Sequence, residues 1–251
     1  MEIVVSTLAE RPDLRPRFFE LTEGFPAFMY HDPTADLFFD HLDEFTDYCF
    51  VAVRQNASDD LVGTACSVPF HQARAPDGGL LPLPDGGWDD IIRRSAWTRR
   101  TGAVPDAVSA LEIRLRPDVT GLGLSAVVLA AMRDNAVRRG FTTLVAPVRP
   151  TAKHLEPGTP MSDYAFRVRD DGLPADPWLR THARLGAVIE KVAPASMVIT
   201  GSLAQWRSWA GQPFDTDGPT IIEGALVPVL VDVARDLGVY VEPNVWMRHR
   251  L

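Results

Sequence analysis

The spacing of apolar and polar positions divides this chain into strands and helices, most clearly near its middle. Leu111, Ile113 and Leu115 alternate with Glu112, Arg114 and Arg116, the two-residue period of a half-buried strand. Pro117 cannot donate to a ladder and stops the strand. After Thr120-Gly-Leu-Gly-Leu-Ser125 the period becomes helical: Leu124, Val127, Val128, Met132 and Ala136 keep one face. Arg138-Arg139-Gly140 closes that helix with cations and a glycine stop. Upstream, Glu2 to Thr7 reads as a short strand. Glu10 to Tyr30 reads as helical in its middle, with Leu14, Phe18, Phe19 and Leu21 on one side and Pro26 interrupting. Thr34 to Phe45 reads as a second helix, with Thr34 as N-cap and Leu37, Phe38, Leu42 and Phe45 at helical spacing. DYCFVAVRQ and LVGTACSVPF, joined by NASDD, read as a β-hairpin.

The interval His71 to Val108 interrupts this order. APDGGLLPLPDGG predicts an irregular loop, and WDDIIRRSAWTRR a short amphipathic helix carrying Trp88, Ile91, Ile92 and Trp97. Such an excursion serves as a lid, as an oligomer contact or as surface elaboration. Downstream, TTLVAPVRP predicts the next parallel strand and Lys153 to Pro177 an irregular stretch. PWLRTHARLGAVIEKVAP predicts a helix leading to a strand. Ser196 to Gly201 is another apolar run and Leu203 to Trp209 a short helix. IIEGALVPVLVD and GVYVEPNVW predict further strands, able to complete a sheet or cover its far side.

With 251 residues the chain can bury a full core. The net charge of −8 argues against general nucleic-acid or acidic-membrane binding. No apolar run is long enough to span a bilayer and the N-terminus lacks a signal-peptide pattern, so a cytoplasmic location is expected. Cys49 and Cys66 fall in expected strands and read as buried free thiols. His31, His41, His71 and His154 lack a ligand-like spacing, and no metal site is expected.

The glycine turn is the first place where pattern becomes chemistry. A strand-to-helix turn of this kind points unpaired N–H groups outward, and the helix dipole adds positive charge, which suits an anionic group such as a phosphate. Gly121-Leu-Gly123-Leu-Ser-Ala126 also fits a dinucleotide fingerprint, but the following strand lacks the acid which that motif requires. A turn without a ligand is the plain alternative.

The segment resembles the acyl-CoA-binding core of the GNAT N-acetyltransferase superfamily. There a strand ending hydrophobic-x-Pro precedes Gln/Arg-x-x-Gly-x-Gly/Ala and a helix closing in basic residues, Gly and Phe. Leu115-Arg116-Pro117 matches the strand end. Thr120, Gly121, Leu122, Gly123, Leu124 and Ser125 fall on the six motif positions, and Arg138 to Phe141 on the helix end. Thr120 replaces Gln/Arg and Ser125 replaces Gly/Ala. The resemblance implies an α/β fold: a mixed, mostly antiparallel sheet with a central parallel splay, flanked by helices. Residues 1–210 would form the acyltransferase domain and 211–251 a C-terminal extension packing on it. It implies acetyl-CoA or another acyl-CoA as co-substrate, with pantetheine along Leu115 and Arg116 and pyrophosphate at the amides of Gly121 to Ala126. It implies direct transfer to a small-molecule amine, with a homodimer allowed. Its rivals are a non-catalytic acyl-CoA-binding domain of this fold and a Rossmann-type NAD(P) oxidoreductase.

Acyl transfer to an amine needs a held thioester, a base for the amine proton and a donor for the thiolate. Glu112, the one acid of the central strand, is the candidate base; its other reading is a salt bridge with Arg114. Gly186 matches the glycine of the family's Tyr-x-x-x-Gly, which puts His182 at the tyrosine position as candidate acid. Tyr164 and Tyr240 are alternative acids. Arg149, Lys153 and Arg180 are candidates for holding an acceptor carboxylate or phosphate, or are solvated surface cations.

Overall fold

The computed structural model describes residues 3–21, 24–54 and 60–251. Among them are nine strands: β1 Ile3–Thr7, β2 Cys49–Arg54, β3 Asp60–Phe70, β4 Ala107–Leu115, β5 Thr143–Val148, β6 Val188–Gly201, β7 Gly218–Thr220, β8 Val229–Asp232 and β9 Leu237–Arg250. They form one sheet in the order β1-β2-β3-β4-β5-β9-β8-β7, with β6 also on β9. Every pairing is antiparallel except β4–β5, as the resemblance implies. One parallel pair in an otherwise antiparallel sheet is not a doubly wound dinucleotide fold, and the Rossmann reading falls.

The helices are α1 Asp36–Phe39, α2 Gly87–Thr101, α3 Leu124–Arg138, α4 Met161–Ala165, α5 Pro177–Arg184 and α6 Leu203–Ala210. They divide between two faces. Val128, Leu129 and Met132 of α3 pack with Leu144, Met247 and Leu179 on one. On the other, Trp88, Ile91 and Ile92 of α2 pack with Phe28, Phe38, Trp206, Tyr240 and Trp246. Adjacent β9 residues Trp246 and Met247 serve opposite cores, as the strand period requires.

Several sequence expectations are corrected here. The helix expected in the middle of Glu10–Tyr30, with Pro26 interrupting, is instead two short 3-10 turns, Pro12–Arg17 and Ala27–His31. Pro16 lies inside the first and Pro26 precedes the second, and proline removes the amides a continuous helix needs. The helix expected at Thr34–Phe45 is one turn of α1 plus a kinked 3-10 stretch, Leu42–Tyr48. Thr34 does not cap it; its hydroxyl accepts from Arg93. Of the two tryptophans on α2, Trp88 is buried but Trp97 is 45% exposed. The turn expected at NASDD lies, apart from Asp60, outside the described residues, as do Glu2, Thr22 and Glu23. Cys49 and Cys66 are buried free thiols at opposed positions of β2 and β3.

Residues 211–251 supply β7, β8 and β9. β9 is an interior strand, bonded to β6 along one side and, on the other, to β5 at its C-terminal half and β8 at its N-terminal end. Between β6 and β9 the chain makes α6, β7 and β8, and α6 returns to the N-terminal segment: Trp209 stacks on His31 at 4.2 Å.

Candidate active site

β4 and β5 are hydrogen-bonded neighbours at two registers only, Val108–Leu144 and Ser109–Val145. Beyond Ser109 they part, leaving the β5-facing edge of β4 open. The β3 partner of β4 slips at the same level: Cys66 opposes Glu112 and Ser67 opposes Ala110, so Leu111 is an extra residue, a β-bulge. The bulge breaks the simple alternation of the sequence. Leu111 packs on the α2 face, while Ile113 and Leu115 pack on the α3 face. Glu112 and Arg114 therefore turn to the α2 face, beside the N-terminal segment.

The Arg116 amide bonds back to Val62 of β3. Backbone groups of successive strand residues point to opposite edges, so those of Leu115 point into the parting. The chain then makes a short 3-10 turn, Pro117–Val119, and enters α3 through Gly121 (φ 82°) and Gly123 (φ 78°). Both glycines take a left-handed conformation that disfavours side chains. A Cβ at either would meet no atom within 4 Å, so the space above the turn is open. Gly123 is the N-cap and offers no side-chain acceptor. Its carbonyl takes the amides of Ala126 and Val127, at 3.1 and 3.4 Å. The amides ahead of these are turned outward by helix geometry. Beside the turn lies an apolar cavity of about 300 Å³ lined by Ile3, Val119, Leu122, Leu124 and Val127. The residues fit a phosphate-bearing, pantetheine-length ligand: an open strand edge leads to a row of outward amides at a helix dipole. Thr120 is exposed, while Ser125 and Ala126 are half-buried. The Arg116 guanidinium is held by Asp60 and Asp118, so it is not a free phosphate ligand; its bonds to Asp118 and Asp60 raise it above its ordinary value.

Glu112 makes the salt bridge that was its alternative reading. Both its oxygens bond Arg114, Oε1 to Nε and Oε2 to Nη2, at 3.0 Å each. The pair is nearly buried, with 9% and 14% of the two side chains exposed. Burial pulls the Arg114 guanidinium down, and Glu112 more than offsets this. The rings of Phe25 and Tyr30 lie over the guanidinium at 5.4 and 5.2 Å.

His182 lies elsewhere. It is 1% exposed on the α3 face, its Nδ1 is 3.0 Å from Nε2 of His249 on β9, and its ring meets Trp178 edge-on. Burial, then the second histidine, holds it well below its ordinary value; burial and Arg133 push His249 down to about 4. Tyr164 donates to Asp176 at 2.8 Å, and burial with this bond raises it. Asp176 is in turn the N-cap of α5. Lys153 is wholly buried and donates to the carbonyls of Glu156 and Leu226. Arg180 donates to the carbonyls of Pro174 and Ala175.

Arg149, at the end of β5, joins a buried polar cluster that sequence reasoning missed. Glu242, fully buried on β9, accepts both bonds of Arg149 Nε, at 3.1 and 3.0 Å, a 2.6 Å bond from the Tyr240 hydroxyl and one from Asn244 Nδ2. Tyr240 also accepts the Leu226 amide, which commits it. The signal was present: Tyr240, Glu242 and Asn244 recur at period two within an apolar strand. Arg149 also donates to the Gly224 carbonyl, and Gly224 abuts Pro26. The segment around Phe25–Tyr30 thus touches Arg114 of β4 on one side and the Arg149 anchorage on the other. Among the described residues, no three His, Cys, Asp or Glu side chains converge as a metal-ion cluster, and no helix is long and apolar enough to cross a membrane.

No family model matches the chain. The arginine N-acetyltransferase avaD of Aspergillus versicolor is 30% identical over 275 aligned residues, covering 98% of this chain and 93% of that protein. Two solved structures share the fold across 100% of this chain at 15% identity. One is the loading GNATL domain of CurA from Lyngbya majuscula (TM-score 0.58, 98% of that chain). The other is the GphF GNAT-like decarboxylase in complex with isobutyryl-CoA (TM-score 0.52, 99% of that chain). Together with the parted β4–β5 pair and the glycine turn, the near full-length relation to an N-acetyltransferase leads to one conclusion: this chain belongs to the GNAT superfamily and is an acyltransferase of the acyl-CoA-binding kind.

Proposed function

We propose that this protein moves an acetyl group from acetyl-CoA to the amine of a small molecule by direct transfer. The observation that carries this reading is the parting of β4 from β5 immediately ahead of the uncapped Gly121–Gly123 turn. Pantetheine takes the open edge at Leu115, and the pyrophosphate takes the amides from Gly121 to Ser125, that of Ala126 being given to the Gly123 carbonyl. The thioester then lies beside the stretch of β4 that carries Glu112. The amine nitrogen attacks the thioester carbon, the C–S bond breaks, and coenzyme A leaves as a thiolate that takes up a proton. Glu112 takes the first proton from the acceptor ammonium. His182, held neutral in an apolar site, is a poor acid for the thiolate, and the Tyr164 proton is committed to Asp176. The name of the relative makes arginine the first acceptor to try.

The test is thermal stability with acetyl-CoA, free CoA and NAD(P)H, followed by coenzyme A release with an amine panel that includes arginine. A ligand of the native state raises the apparent melting temperature by mass action. A shift with acetyl-CoA and amine-dependent release supports transfer. A shift without release from any amine favours a binding domain, and no shift with either form of the coenzyme removes the reading.

A further inference from the structure

Glu112 and Arg114 form an ion pair with both poles on one face of β4, in the stretch where that strand has left β5. The pair is incompletely used. Nε and Nη2 of Arg114 meet Glu112 at 3.0 Å, whereas among the described residues Nη1 has only long contacts, 3.4 Å to the Leu21 carbonyl and 3.3 Å to the Tyr30 hydroxyl. The Nη1–Nη2 edge of the fork is therefore where an incoming carboxylate gains most. The rings of Phe25 and Tyr30 fix the plane of the guanidinium, so the fork is aimed before a ligand arrives.

We propose that Arg114 and Glu112 together read the zwitterionic head of an α-amino acid acceptor, Arg114 taking its carboxylate and Glu112 its ammonium. This rests on the transferase reading above and names its acceptor class. The charge balance supports it. A neutral pair of opposite poles, mostly out of water, is matched by a neutral ligand of opposite poles. An amine without a carboxylate would bring a net positive charge to the same place and leave the Arg114 fork without its second anion, an uncompensated charge in a poorly solvated site. The same contact starts the chemistry. The ammonium held on Glu112 gives it one proton, which passes to solvent. The freed amine attacks the thioester carbon, and the proton it loses as the C–S bond breaks ends on the coenzyme A thiolate. Arg114 is a specificity residue and Glu112 the base.

The experiment compares matched pairs of acceptors with the unmodified protein: L-arginine against agmatine, L-lysine against cadaverine, L-phenylalanine against phenethylamine. The amino acids are expected to exceed their decarboxylated partners by about 30-fold or more in kcat/KM, as for a site built around a polar group the analogue lacks. In Arg114→Gln the ratio falls toward one; it is read as kcat/KM for both members of each pair on the same preparation, so that any change at Glu112 common to both acceptors cancels. Arg114→Lys keeps the charge without the fork and recovers only part of the preference. Equal use of amino acids and bare amines by the unmodified protein overturns the proposal, whether or not the variants fold, and leaves the transferase reading standing. A ratio unchanged in Arg114→Gln also overturns it. No turnover with any amine, while acetyl-CoA still raises the melting temperature, overturns both.

Discussion

On the α3 face of the sheet, the pieces that would cradle the coenzyme are consecutive in the chain: β4, the glycine turn and α3. On the α2 face, the residues that meet come from five places. The Phe25–Tyr30 segment clamps Arg114, Asp32 meets Asp89 of α2, Gly224 and β9 anchor Arg149, and Trp209 of α6 stacks on His31. The first face is made by backbone, the second by side chains that neutralise one another. A cradle of amides needs only the right turn. A pocket that selects an acceptor needs charges held apart from water, and these must be supplied in pairs.

The acid and base pairs sharpen the contrast. Asp32 and Asp89 are 2% and 1% exposed and lie within hydrogen-bond reach of each other. One oxygen of each, Oδ2 of Asp32 and Oδ1 of Asp89, has no donor from the protein. A single proton held between the two carboxyls would satisfy both. Burial, then its neighbour, pushes Asp89 up to about 8, and burial raises Asp32. Arg93, half exposed, reaches Asp89 and Thr34 but does not neutralise both acids. The α3 face has the reverse case, two histidines kept neutral by burial.

The largest expected effect breaks the side-chain face. Glu242→Gln leaves the Arg149 charge without its carboxylate, at a cost of about 3–5 kcal/mol. Chemical denaturation measures it, and a loss below about 1 kcal/mol would mean that this anchorage is not what holds the face together. Next is the backbone face. Gly123→Trp keeps the fold, with roughly 1–2 kcal/mol of backbone strain, but fills the open space over the turn. Its acetyl-CoA affinity should fall about 100-fold, or ~2.7 kcal/mol. Calorimetry on both proteins decides, and unchanged affinity would place the coenzyme elsewhere.

A smaller effect comes from the buried pairs, and the signs are opposite. The folded-state value of Asp89 is raised, so its contribution is fully present below the ordinary carboxylate range, near 4, and is lost as pH rises through about 8. His249 is lowered to about 4, so its contribution is present above about 6.5 and is lost as pH falls through about 4. Asp89→Asn should therefore gain up to about 2 kcal/mol relative to the parent between pH 6 and pH 9, and leave the acid limb unchanged. Melting curves across that range test it; parallel curves for the two proteins would exclude the shared proton. The smallest effect is Tyr164→Phe. Losing the bond to Asp176 should cost about 1 kcal/mol and leave kcat within about 3-fold. A large fall in kcat at unchanged stability would instead make Tyr164 the acid for the thiolate.

Local pattern carried the backbone face. Alternation gave β4, proline its end, and glycines followed by a helical period gave the turn and α3, because each depends on neighbours in the chain. Even there the bulge at Leu111 was invisible, since the register slip is decided by pairing with β3. Pro26 was read as an interruption, but Pro16 was not weighed against the aromatic spacing, and the helix expected there became 3-10 turns. His182 was placed at a motif's tyrosine position by its spacing from Gly186, yet its environment was set by His249, 67 residues away, which no spacing announces.

The amino-acid sequence by itself determined the order of elements, the strand–turn–helix unit and the kind of ligand its amides suit, because backbone conformation answers to nearby residues. Tertiary structure alone decided that β9 enters between β5 and β6, that Glu112 is locked to Arg114 under two rings, and that two acids share one site. The physical reason is the same in each case. A charge or a strand edge is satisfied by whichever partner the fold brings within a few ångströms, and distance along the chain does not measure that.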